Sequence, residues 1–343
     1  MKQNNFNFLR FYFAFIVVIG HLIEISKIDA LQKFSPYFST YISVTAFFSI
    51  SGFLITNSYL HTDTLKNYFA KRAARLLPAY MLVVVVCAVL LSLLSSYSFA
   101  EYFLHPQLFK YLAANLSFLN FIQPCLPGVF LGDGLTCDVN GALWTLKVEV
   151  SFYLLIPILL FFFQRIRRKY ILLICIYFFS ILYRNSLGHL ADISGSGIYA
   201  MLSHQLPGFL SYFVSGIALY YYFQLFQRNK KLLFAIAIIG FVFERIMGWE
   251  ILTPISLSII VFVIAFSFKR LNAFAKHGDI SYGIYIFHCP IIKVATDLGF
   301  FELYNPFLVA FGIISVVLFV GFISWHAVEK RFLVRTHSIR IQE

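Results

Sequence analysis

Apolar runs of about twenty residues recur along the chain, each closed by a short polar band. They fall at 8–26, 40–60, 76–96, 143–163, 170–185, 206–224, 231–248, 251–268, 280–297 and 305–327. Each is close to the ~20 residues that a helix needs to cross a bilayer. The stretch 108–122 is a further candidate that dips into the membrane. This pattern predicts an all-α integral membrane fold of about ten transmembrane helices, with one long outer loop at 97–142.

Basic residues orient the spans. Lys2 and Arg10, then Lys66, Lys71, Arg72 and Arg75, then Arg165, Arg167, Arg168 and Lys169 fall on one side of the expected helices. Arg228, Lys230 and Lys231, then Lys269, Arg270 and Lys276, then Lys330, Arg331, Arg335 and Arg340 join them. The opposite side holds Lys27, Lys33, Lys110, Arg184, Arg245 and Lys293, and Lys147 lies inside a span. Cationic loops stay in the cytoplasm, so both termini are expected there.

Composition agrees: 60% of residues are hydrophobic, 12% are charged, and the mean hydropathy is +0.80. A soluble domain does not have that balance. The net charge of +12 resides mostly in the cytoplasmic bands, which argues for membrane orientation and phosphate contacts rather than nucleic acid. The first apolar run carries Arg10, His21 and Glu24 and has no small-residue cleavage site, so it is expected to stay as a helix. The whole of 1–343 reads as a single membrane domain without a fused soluble module. Cys87, Cys175 and Cys289 lie in apolar spans as packing residues, whereas Cys125 and Cys137 form a candidate disulfide if the outer side is oxidising. Neither CxxC nor HExxH occurs, so no metal is expected.

An ionisable side chain inside a bilayer costs at least ~2–3 kcal/mol, which marks each such residue as a functional candidate. Arg10 and His21 are eleven residues apart, roughly 16 Å of helical rise and about three turns, so they share a face at different depths. His21 suits general-base work near neutral pH. Glu149 counts to a similar depth from the outer side and is the preferred orienter of His21, with Glu24 as its rival and a structural pairing with Lys147 as the plain alternative. Tyr153 follows Glu149 by one turn, and Trp144 marks the interface. Arg72 and Arg75, in KRAARLLPAY just before the third span, form a candidate phosphate clamp or a topological stop signal. Ser281, Tyr285 and His288 make one polar seam on the ninth span, either lining a substrate path or satisfying packing, and Pro290 is expected to loosen the backbone beside them. His61, His105, His189, His204, His277, His326 and His337 fall at interfaces or in loops.

In order, RFYFAFIVVIGH, FFSISGFLIT, KRAARLLPAY, NGALWTLKVEVSFYLL and ISYGIYIFHCP resemble the acyltransferase-3 family of bacterial integral-membrane acyltransferases. The segment from Leu126 to Tyr153 is similar to the branch that O-acetylates surface polysaccharides. The resemblance runs from about residue 7 to residue 330. It implies that Arg10 and His21 match an Arg-x10-His motif needed for acyl transfer. It further implies that Arg72 and Arg75 match an Arg-x-x-Arg motif associated with the acyl-CoA donor. Trp144 and Glu149 match a Trp-x4-Glu element, and Gly52 to Ile55 the GFLI element. One departure is Val150, where many relatives carry a second acidic residue, which leaves Glu149 to act alone.

The expected activity is therefore O-acetyl transfer from cytoplasmic acetyl-CoA to a hydroxyl of a cell-surface or lipid-linked polysaccharide, such as lipopolysaccharide O-antigen or exopolysaccharide. The expected location is the bacterial inner membrane. His21, oriented by Glu149, would act as base, with an acyl-histidine intermediate as the competing course. A transporter or flippase of a lipid-linked glycan is the rival class, and a membrane scaffold a third. The outer loop 97–142 is the expected specificity element.

Overall fold

The computed structural model describes residues 4–132, 134–268, 271, 274 and 278–333. Lys2, Lys269, Arg270, Lys276, His277, Arg335, His337 and Arg340 lie outside the described residues. Among those described the chain is helical, and no strand forms beyond an isolated bridge between Cys125 and Asp138. Eleven helices organise it: α1 Phe6–Ser26, α2 Thr40–Leu60, α3 Leu65–Leu90, α4 Pro106–Leu116, α5 Trp144–Arg165, α6 Lys169–Ser194, α7 Leu206–Tyr221, α8 Phe223–Met247, α9 Thr253–Ser267, α10 Ser281–Asp297 and α11 Pro306–Ile323. Each of the ten expected spans coincides with one of these, and α4 occupies the further candidate stretch. Among the described residues, six stretches are long and apolar enough to cross a membrane: Phe6–Ser26, Asp29–Leu60, Leu65–Leu94, Gly141–Arg165, Lys169–Ser194 and Pro306–Phe332.

The third span starts earlier than hydropathy suggested. Thr64 caps α3 by accepting from the Asn67 amide, and the good helix formers Lys, Arg and Ala carry the helix on through the basic band. Arg72 and Arg75 consequently stand on α3 itself, in its second and third turns, rather than on a loop before it.

Two contacts set how closely the bundle packs. At Gly52 of α2 a Cβ would sit 2.0 Å from the Phe213 carbonyl, and at Gly216 of α7 one would sit 2.0 Å from the Ser49 carbonyl. Only glycine allows this backbone approach, the small-residue packing that membrane helices favour. The Gly52–Ile55 element is thus a packing device. Beside it Ser49 and Ser258 join α2 to α9 through their hydroxyls at 2.7 Å.

Internal prolines leave helical carbonyls without their usual amide donor, and side chains from elsewhere fill the gap. Pro157 of α5 frees the carbonyl of Tyr153, which accepts from the buried Tyr68 hydroxyl at 3.1 Å. Pro290 of α10 frees the carbonyl of Ile286, which accepts from Asn140 Nδ2 at 2.8 Å. Asn140 thereby fixes α10 one turn around His288.

The long loop at 97–142 is tied down by a disulfide and a buried lysine. Cys125 and Cys137 are joined as a disulfide, and Lys293 of α10, almost wholly buried, reaches into the loop. Its Nζ donates to the Thr136 carbonyl at 2.9 Å and the Asp138 carbonyl, and pairs with Asp138 Oδ1 at 2.9 Å. On the far flank Arg184 of α6 grips the Tyr41 hydroxyl at 2.9 Å and Glu250 at 2.9 Å, tying α2 to the turn between α8 and α9.

Candidate active site

The polar side chains gather in two groups along the space between α1, α2, α3, α5 and α10. The first surrounds Asp279, two residues before α10. Its Oδ2 accepts from Arg10 Nη1 at 2.6 Å and from Arg75 Nη2 at 2.5 Å, while Oδ1 accepts from the Ser281 hydroxyl and from its amide at 3.3 Å. One buried carboxylate therefore holds two guanidinium groups from two helices. Arg10 and Arg75 are anchored, with one positive charge left over between them.

Arg72 is held differently. It donates weakly to Ser58 Oγ at 3.3 Å, stands 5.7 Å over the Tyr153 ring, and its buried Nε has no hydrogen-bond partner among the described residues. A buried cationic donor left open is costly unless a ligand satisfies it. Glu149 belongs to this group too: Oε1 accepts from Ser51 Oγ at 2.9 Å, and the Tyr153 hydroxyl bonds the carboxylate.

These residues line a cavity of about 1610 Å³. One end, at the turn between α2 and α3, is lined by His61, Lys71, Arg72 and Lys330. Arg10, Arg75, Asp279, Ser281, Glu149 and Tyr153 line its middle, and Phe47, Thr145 and Tyr285 its other end. The basic end suits phosphate groups, because arginine forks and lysine ammonium groups both bind them strongly.

The second group lies beyond that far end. His21 Nδ1 and His288 Nε2 are 2.7 Å apart, and the rings meet edge to edge with 6° between their planes. His288 is fully buried, and its Nδ1 is 2.6 Å from the Tyr285 carbonyl. A carbonyl only accepts, so this contact assigns the His288 proton to Nδ1. Its Nε2 then accepts from His21 Nδ1–H, which leaves the lone pair of neutral His21 on Nε2. That atom lies 3.9 Å from Glu24 Oε2. The chain from carbonyl to imidazole to imidazole orients one histidine as a proton acceptor, the role a carboxylate plays in a hydrolytic triad.

The structure therefore separates the residues that the sequence grouped. Glu149 makes no contact with His21; its partners are Ser51 and Tyr153, in the middle of the cavity. Glu149 was expected to orient His21; the hydrogen-bond partner of His21 is instead His288, and of the two candidate carboxylates Glu24 is the one beside the imidazole. Lys147 does not pair with Glu149 but stands 4.5 Å over the Phe121 ring. Trp144 packs on Phe209 and His204, away from the cavity. Ser281 and Tyr285 line the cavity as a path would require. Asp279, Ser51 and Asn140 were missed. The signal for Asp279 was visible as a single acid opening the ISYGIYIFHCP segment among basic neighbours.

Cys289 Sγ lies 3.2 Å from His288 Nε2 and 3.8 Å from His21 Nδ1, so two imidazoles and a thiol converge within 4.8 Å. The nitrogen separation of 2.7 Å is that of a shared proton, shorter than the ~3.3 Å edge implied by Zn–N bonds of about 2.0–2.1 Å in a tetrahedral site.

Comparison with known proteins identifies the family of the chain. The family model described as an acyltransferase domain matches residues 3–326. An O-acetyl transferase of Shigella phage Sf6 is 26% identical over 98% of this chain and 97% of its own length. Nodulation protein 10 of Rhizobium leguminosarum bv. viciae is 31% identical over 51% of this chain and 48% of its own. No solved structure matches. With a family model spanning nearly all of its length and a full-length acyltransferase relative, the chain belongs to the acyltransferase-3 family and is an acyltransferase.

Proposed function

We propose that this protein is an O-acetyltransferase that moves an acetyl group from cytoplasmic acetyl-CoA to a hydroxyl of a cell-surface or lipid-linked polysaccharide such as lipopolysaccharide O-antigen or exopolysaccharide. The observation that carries this reading is the cavity itself. It is basic at one end, and its other end lies one helical turn from the His21–His288 imidazole pair. The ten helices then cross a bacterial cytoplasmic membrane in one domain with both termini inside, which places Arg72, Lys71 and Lys330 in the cytoplasm and His21 near the outer surface.

The phosphates of CoA meet Arg72, whose unpartnered Nε gives it a donor to spare, together with Lys71 and Lys330. Arg10 and Arg75, fixed on Asp279, supply positive potential deeper in. Glu149 and Tyr153 hold Arg72 beside the pantetheine path, so Glu149 acts on donor binding. At the far end the acceptor hydroxyl meets His21 Nε2. The imidazole takes the proton as the hydroxyl oxygen attacks the thioester carbon; the new C–O bond replaces the C–S bond. The CoA thiolate takes the proton back from His21, and both histidines return to their neutral forms. While His21 is protonated, His288 Nε2 holds its Nδ1–H and Glu24 faces the new charge. The glycan-carrier reading is not retained, because the family is one of acyltransferases.

The test is the O-acetyl content of surface polysaccharide from a null host carrying the wild type, His21→Ala or Arg72→Ala at matched protein levels. Acetylation restored by the wild type and lost in both variants supports the proposal. Unchanged acetyl content would sink it.

A further inference from the structure

We propose that Phe47, Thr145 and Tyr285 form a septum between the CoA cavity and the histidine pair, and that this septum sets the acyl chain length the protein transfers. The inference rests on the acyltransferase reading above and extends it to the choice of donor.

The septum is read from the order of residues along two helices. On α10, Ser281 and Tyr285 line the cavity, whereas His288, three residues or ~4.5 Å of rise further on, lies behind the Tyr285 ring at 5.9 Å between centroids. On α2, Phe47 lines the same end and sets its ring against Tyr285 at 5.9 Å and 72°. Phe13 of α1 backs Phe47 from its other side at 6.1 Å. Thr145, at the start of α5, closes the remaining edge: its Oγ1 and the Tyr285 hydroxyl are 2.7 Å apart. Thr145 Oγ1 also donates to the Ala142 carbonyl at 2.9 Å, so Tyr285 is the donor of that pair. The barrier is thus two edge-to-face aromatic rings locked by one buried hydrogen bond.

A thioester arriving from the cavity reaches this barrier with the end of its acyl chain leading. For acetyl only a methyl has to pass before the carbonyl arrives. The carbonyl oxygen can then take over the Tyr285 hydroxyl from Thr145, so the polar group is not stranded while the barrier is open. Every further methylene must lie beyond the septum, where His288 and Cys289 are buried and His21 is hydrogen-bonded to His288 at 2.7 Å. A longer chain could enter only by displacing the imidazole that accepts the proton. Selection therefore acts on the transfer step more than on CoA binding, because the phosphate end of the donor is the same in every case.

The experiment measures kcat/KM for acetyl-, propionyl-, butyryl- and hexanoyl-CoA with full-length protein in lipid nanodiscs and a de-O-acetylated surface polysaccharide as acceptor. The quantity read is the butyryl-to-acetyl ratio within each variant, which does not depend on the fraction folded. The wild type is expected to prefer acetyl strongly. Phe47→Ala should raise the ratio by about tenfold or more, the scale of discrimination per methylene in an apolar pocket, and Phe47→Leu should fall between. A ratio unchanged in both variants, or a wild type that takes butyryl as well as acetyl, overturns the septum and leaves the acetyltransferase reading standing. Loss of transfer with every donor in both variants also overturns it, since Phe47 would then serve the chemistry and not its size limit. A wild type that uses no acyl-CoA refutes the functional reading itself, and the septum with it.

Discussion

His21 Nδ1 and His288 Nε2, 267 positions apart in the chain, approach to 2.7 Å with their rings parallel to within 6°. The Tyr285 carbonyl behind His288 gives the pair a direction, fixing which nitrogen of His21 stays free. The first prediction follows from it. His288→Ala should lower kcat by roughly 10²–10⁴-fold, the range attributed to a positioned acid–base group, with little change in the KM for acetyl-CoA. His288→Gln, which keeps an acceptor for the His21 Nδ1 proton, should recover part of the loss. Steady-state kinetics on matched amounts of protein decide it, and an unaffected kcat in His288→Ala would remove this residue from the mechanism.

Glu149 yields a prediction of opposite form. Its contacts are Ser51 and Tyr153, and Arg72 stands over that same tyrosine ring. Glu149→Gln should therefore raise the KM for acetyl-CoA by about tenfold while kcat stays within about threefold, the signature of lost donor binding. Had Glu149 oriented His21, kcat would collapse instead. The two parameters separate the roles in one titration of donor.

The helical plan was legible because burial in lipid demands long apolar runs, and those leave an unmistakable trace: each of the ten runs became a helix. Arg10 and His21 were legible for the same reason, as ionisable groups where such groups are costly, whereas Arg72 and Arg75 were legible only as a spaced pair beside a span. Partnerships were not legible. Spacing along one helix says that Arg10 and His21 share a face, but it cannot say that Asp279 will meet Arg10 or that His288 will meet His21. Those contacts depend on how α1, α3 and α10 are rotated against each other. Helix length misled as well: α3 begins eleven residues before its apolar run at 76, which lifted the arginine pair onto the helix.

Asp279 carries a prediction about stability. It is buried and pairs with both Arg10 and Arg75. Breaking a buried ion pair by removing one partner costs about 3–5 kcal/mol, since the remaining charge stays buried without compensation. Asp279→Ala should accordingly lower the unfolding midpoint in detergent and weaken acetyl-CoA binding, while Asp279→Glu should retain much of both. Thermal unfolding followed at several detergent concentrations checks the first, and equilibrium binding of acetyl-CoA the second. A stable Asp279→Ala variant that binds normally would mean that the two arginines find other partners.

The last prediction concerns a residue that touches neither donor nor acceptor. Asn140 donates to the Ile286 carbonyl, which Pro290 deprives of its helical donor. Leaving that buried acceptor unpaired should cost about 1–3 kcal/mol, and the cost falls on the turn of α10 that carries His288. Asn140→Ala should thus lower stability modestly and kcat more than a distant residue would, as the His288 Nε2 loses its aim at His21. Pairing it with Pro290→Ala is the decisive comparison. The second change returns an amide donor to Ile286, so the double variant should recover both stability and kcat relative to Asn140→Ala alone. Recovery of stability without recovery of kcat would show that Asn140 also acts through the Gly141–Leu143 turn beside it, and no recovery of either would place its role outside α10 altogether.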